Sequence, residues 1–131
     1  MSRFKARVVD LTGRHRGIRF SEMLCQLNTY LQGWCGYYLR LMPNSCEFRP
    51  IDQWIRRRLR MYRWVQWKTR SNRLHELIKG GASRASALQV CGCPGVWRAS
   101  HTPAVDRCMS VERLSKAGFV SLEEYYRRLK P

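Results

Sequence analysis

The feature that most limits the fold is a run of apolar residues spaced alternately three and four apart. Leu24, Leu27, Leu31, Trp34, Tyr38 and Leu41 keep this spacing without a break. Such a stripe lines one face of a long helix and needs a partner helix to cover it. Two neighbouring segments offer partners. "RFKARVVDLT" (3–12) puts Phe4, Val8 and Leu11 on one face, and "IDQWIRRRLRMYRWVQWK" (51–68) does the same with Ile51, Trp54, Ile55, Leu59 and Tyr62. Three amphipathic helices joined by "GRHRG" and "MPNS" breaks predict a three-helix bundle over residues 1–70.

The rest of the chain is built of shorter pieces. Helices are expected at 73–79, 84–90, 103–109 and 121–129, separated by "GGAS" and by the turn-rich "VCGCPGVWRASHTP" (90–103). Ser121 and Glu124 have the spacing of a capping box. No segment alternates as a strand does. The fold class is therefore all-α, with residues 71–131 as a small, loop-rich helical appendage docked on the bundle. Gly33 and Gly36 interrupt the long helix, where each costs about 1 kcal/mol relative to Ala. Large aromatics flank both, which predicts that another backbone comes close on the Gly33 side.

Charge restricts the partners. Lys and Arg number 25 against nine Asp and Glu, a formal net charge of +16. Self-repulsion of that size is relieved by a polyanion, most often a nucleic acid. The third helix concentrates the effect. Six cations between Arg56 and Lys68 have no carboxylate among them, so they repel one another at helical spacing instead of pairing. Arg56, Arg57, Arg60, Arg63 and Lys68 suit phosphates. Trp64 and Trp67 suit stacking, either on unpaired bases or under arginine. Structured RNA offers both phosphates and splayed bases.

Catalytic chemistry finds little support. Asp10, Asp52 and Asp106 are isolated in sequence, so no paired carboxylates gather around two metal ions. No phosphate-binding glycine loop or nucleophile signature is present. Cys91, Cys93, His101 and Cys108 are the one set of soft donors that zinc could take, but the C-x-C spacing is tighter than usual. No metal and no cofactor is expected, with zinc left open at those four positions. The six cysteines read as reduced thiols, and the charged start and short apolar runs predict a cytoplasmic protein with no membrane span.

Several segments together resemble the maturase-specific region, the thumb or domain X, of group II intron-encoded reverse transcriptases. "LNTYLQGWCGYY" (27–38) is similar to that family's L-N-x-Y-L-x-G-W-x-x-Y motif through Leu27, Asn28, Tyr30, Leu31, Gly33, Trp34 and Tyr37. "DQWIRRRLR" (52–60) resembles its following D-x-W-I/L-R-R-R-L-R pattern. "PGVWRASHTPAV" (94–105) and "KAGFVSLEEYY" (116–126) resemble two later segments. Thr29 and Gln32 depart from the family pattern, and the polymerase palm with its paired aspartates has no counterpart here.

The resemblance implies a thumb-like bundle that binds intron RNA and assists its folding and splicing, with no polymerase activity from this chain alone. Arg56, Arg57, Arg60, Arg63, Trp64, Trp67, Lys68 and Arg98 are the expected RNA contacts. Asn28, Tyr30, Gly33, Trp34, Gly36, Tyr37 and Trp54 are expected to hold the structure. A DNA target and a separately encoded palm fragment are further partners that the resemblance allows. The alternatives are a split thumb subunit of a reverse transcriptase and a decayed remnant of a mobile element.

Overall fold

The computed structural model describes residues 2–13, 18–38, 48–67, 69–91 and 102–129. Among them are eight helices and no strand. They are α1 (Ser2–Leu11), α2 (Phe20–Tyr38), α3 (Arg49–Gln66), α4 (Arg70–Lys79), α5 (Arg84–Cys91), α6 (Pro103–Cys108), α7 (Val111–Ala117) and α8 (Leu122–Leu129). Local chemistry sets their ends. Pro50 occupies the first turn of α3, where its missing N–H costs nothing. Thr69 caps α4 by accepting the Asn72 amide at 3.2 Å. Ser110 caps α7 in the same way, and Gly118 ends it at φ 118°, a left-handed conformation that suits glycine. Sequence periodicity missed α7, which buries only Leu114. Most of the expected 90–103 loop, and Leu41 of the apolar stripe, lie outside the described residues.

The long apolar stripe is the centre of the core. Leu24, Leu27 and Leu31 are buried, together with Phe4 and Val8 of α1 and Ile55 and Leu59 of α3. The core does not stop at residue 70. Leu122, Tyr125 and Tyr126 of α8 join the same buried cluster, and α8 packs directly on α2 and α3. Helices α4, α5 and α6 pack chiefly on one another. Part of the 71–131 segment is thus woven into the bundle, because α8 carries an apolar face that the α2–α3 groove covers.

Two polar side chains fasten that return. Asp52, buried in α3, accepts the Leu122 amide at 2.8 Å and the Glu123 amide at 3.2 Å, capping α8. Asn28 of α2 donates to the Gly118 carbonyl at 2.7 Å and accepts the Val120 amide at 3.2 Å. The Tyr125 hydroxyl donates back to the Asn28 carbonyl at 3.3 Å. Burial raises the Asp52 carboxyl above its ordinary range, while the two amides and Arg56 act in the opposite direction. Ser121 accepts the Glu124 amide at 3.2 Å, the first half of the expected capping box; the Glu124 carboxylate turns instead to Arg128 at 2.9 Å.

Gly33 and Gly36 correct an expectation. α2 runs through both without a break, and a Cβ added at either would meet nothing within 4 Å. No described backbone approaches, because both glycines lie on the outer face of α2. The close approach occurs at Gly80. A Cβ there would lie 2.9 Å from the Cys108 Cα, so glycine lets α6 settle against the end of α4.

Candidate nucleic-acid interface

α3 does not present one open basic ridge, because neighbours enclose it on three sides. Towards α1, Trp54 lies under the Lys5 ammonium at 5.8 Å. On the same side Arg58 donates to the Thr12 hydroxyl at 3.1 Å and to the Val9 carbonyl at 3.3 Å. Towards α8, Asp52 makes the cap described above. Towards the end of α6, Arg60 donates to the Met109 carbonyl at 2.9 Å and pairs with Asp106 at 3.4 Å. Arg60 is 8% exposed, and burial lowers its pKa, opposed by the nearby Asp106.

The two tryptophans are corrected as well. Trp64 is 2% exposed and Trp67 7%, and they meet edge to face at 6.0 Å. Arg73 covers the Trp64 ring at 4.8 Å and donates to the Trp64 carbonyl at 3.0 Å. Of the two stacking partners expected for these rings, α4 supplies the arginine, and neither ring is open to a base. Arg63 lies over the Phe20 ring at 5.2 Å and donates to Gln66 at 3.3 Å. Arg56 turns towards α7 and α8, lining a cavity of about 80 Å³ with Ser115, Phe119 and Glu124. Its Nε is shielded and has no hydrogen-bond partner there. Arg57 keeps an exposed position on the outer stripe of α3 that also carries Gln53. Lys68 and Arg98 lie outside the described residues.

The open cations are more numerous on α1, which composition did not single out. Phe4, Val8 and Leu11 face inward. At 100° per residue, Lys5 and Val9 then fall on the α3 side, and Arg3 and Arg7 on the opposite flank, beside α2. All three cations are exposed. Among the described residues, the ion pairs are Arg49 and Arg127 with Glu123, Arg60 with Asp106, and Arg128 with Glu124. Arg3, Lys5, Arg7 and Arg57 take part in none of them. The sequence signal was present: three cations against one aspartate around a short apolar stripe.

The expected structural residues divide into two groups. Asn28 clamps the α7–α8 junction, Tyr30 and Trp34 pack on Phe4 at 5.9 and 4.4 Å, and Trp54 supports Lys5. Gly33 and Gly36 are exposed with nothing described within 4 Å of an added Cβ, and Tyr37 is exposed with its ring against Tyr38.

The four zinc-type positions are only partly described. The Cys91 thiol faces the Arg70 carbonyl at 3.8 Å and the Cys108 thiol faces the Glu76 carbonyl at 3.4 Å. Burial raises both thiols above their ordinary pKa, which opposes the thiolate that a metal needs. Cys93 and His101 lie outside the described residues. Among the described residues no cluster of metal-ligating side chains occurs, and no helix is long and apolar enough to cross a membrane.

Comparison with protein families identifies the region. The model for the group II intron maturase-specific domain matches residues 1–78, from α1 through nearly all of α4. No curated protein matches the chain.

Proposed function

The chain belongs to the group II intron maturase-specific domain family, and we propose that it binds group II intron RNA and assists its folding and splicing through the open cations of α1 and α3. Its role is maturase-related, and the matched region is a maturase domain rather than the catalytic polymerase domain. The observation that carries the reading is the set Arg3, Lys5, Arg7 and Arg57, exposed and outside every ion pair among the described residues. Such cations neutralise phosphates, release counterions and reduce the repulsion between RNA segments that must converge. The protein supplies charge and shape, and the RNA performs its own transesterifications. Arg58, Arg60 and Arg73 serve the fold, which holds the open cations at fixed spacing.

Crosslinking in cells that carry the chain, followed by sequencing of the attached RNA, tests this reading. Enrichment of group II intron sequence is expected, with crosslinked peptides from α1. Recovery of no intron RNA above a mock purification contradicts it.

A further inference from the structure

One end of the bundle carries a file of aromatic rings that runs from the core into solvent. Phe4, buried, lies 4.4 Å from Trp34, and Trp34 lies 5.0 Å from Tyr38. Tyr38 meets Tyr37 edge to face at 4.8 Å, and Tyr37 is 77% exposed. The file fixes Tyr37 from one side and leaves its ring open on the other. Gly33 is one turn before Tyr37 on the same face of α2, so on that side, among the described residues, the ring borders helix backbone with no side chain of residue 33 in the way.

The electrostatics point to a kind of occupant. Arg3 is next to Phe4 and exposed, on the flank of α1 opposite Lys5 and Val9, which face α3. α1 and α2 run antiparallel, since Phe4 near the start of α1 meets Trp34 near the end of α2. Arg3 therefore lies at the same end of the bundle as the exposed tyrosines. An open ring, a bare stretch of helix and a cation at the same end fit a flat, uncharged group attached to an anionic backbone.

We propose that Tyr37, bordered by Gly33 and with Arg3 at the same end of the bundle, is a platform on which an unpaired base of RNA stacks. The proposal rests on the RNA-binding reading and adds to it how single-stranded segments are told from paired ones. A duplex offers phosphates to the cations but keeps its bases stacked internally, so only an unpaired base gains the ring. The stacking partner is thus on α2 and not at the buried Trp64 and Trp67.

The test uses the full chain and two RNA probes of equal length, a hairpin with one 2-aminopurine in an unpaired loop and a perfectly paired duplex. Binding of wild type to the hairpin is expected to quench the 2-aminopurine. Tyr37→Ala should weaken hairpin binding about tenfold and leave duplex binding unchanged, while Tyr37→Phe keeps both. Gly33→Gln should also weaken hairpin binding while raising the melting temperature, a combination that loss of folding does not produce. If Tyr37→Ala binds hairpin and duplex as wild type does, the platform is overturned in favour of a protein-contacting surface, and the cationic reading stands. If wild type binds neither RNA at low salt, both fall.

Discussion

Asp52 and Leu122 are 70 residues apart in sequence, and the Asp52 carboxylate accepts the Leu122 amide at 2.8 Å. With the Glu123 amide at 3.2 Å, one side chain satisfies two amides at the start of α8 and fixes that helix against α3. Asp52→Ala removes the cap and leaves buried amides without an acceptor. A loss of about 1–3 kcal/mol is expected in urea denaturation. Burial also gives the native protein the higher Asp52 pKa, so the folded state holds that proton more tightly than the unfolded state does. The contribution of this group to stability is greatest at low pH and is lost as pH rises through its folded pKa. Asp52→Asn, which cannot ionise, is expected to lack this fall, read as a flatter dependence of urea midpoint on pH above the ordinary carboxylate range.

Asn28 fastens the preceding turn with one donor and one acceptor, so an isosteric change separates the two roles. Asn28→Asp keeps an acceptor for the Val120 amide but sets a carboxylate oxygen against the Gly118 carbonyl, now 2.7 Å from the amide nitrogen. The variant is expected to be at least as destabilised as Asn28→Ala, by about 1–3 kcal/mol. Amide hydrogen exchange is expected to rise first in α8.

Glycine substitutions are expected to act with opposite signs. Gly80→Ala forces a Cβ against the Cys108 Cα at 2.9 Å and should cost about 1–3 kcal/mol. Gly33→Ala meets nothing within 4 Å and should gain about 1 kcal/mol from helix propensity. Paired thermal melts of the two variants check both signs at once.

Arg57 and Arg60 are three residues apart but have different tasks. Arg60→Ala leaves the Met109 carbonyl and Asp106 without their partner and should lower the melting temperature by several degrees. Arg57→Ala should leave the melting temperature unchanged and weaken RNA binding. Differential scanning calorimetry alongside an RNA titration separates the two effects.

The elements whose logic is local were legible in the sequence. The stripe from Leu24 to Leu31, the inward face of α1, the helical pieces of the second half other than α7 and the Ser121 cap all follow from spacing and end chemistry. The surroundings of α3 were not legible. Its arginines read as an open ridge because the groups that engage them, Val9 and Thr12 before it and Asp106 and Met109 after it, are 46 to 49 residues away. Periodicity shows that a helix has a buried face, but it does not show how many neighbours surround it. For Trp64 the sequence offered an unpaired base or an arginine as the stacking partner, and the choice was not legible until the next helix brought Arg73 over the ring. The motif asparagine and aspartate were legible as landmarks, whereas their shared task of holding the 118–123 segment emerges only when the chain returns to α2 and α3.

The central claim is that the unpaired cations of α1 and α3 bind RNA phosphates, and the salt dependence of binding tests it most directly. For a structured RNA titrated between low and physiological salt, four phosphate contacts predict that log K falls against log salt with a slope of about −3 to −4. Replacing Arg3, Lys5, Arg7 and Arg57 together with glutamine should make that slope clearly shallower while the melting temperature holds. A slope that is flat in the wild type, or unchanged by the fourfold replacement, would contradict the account.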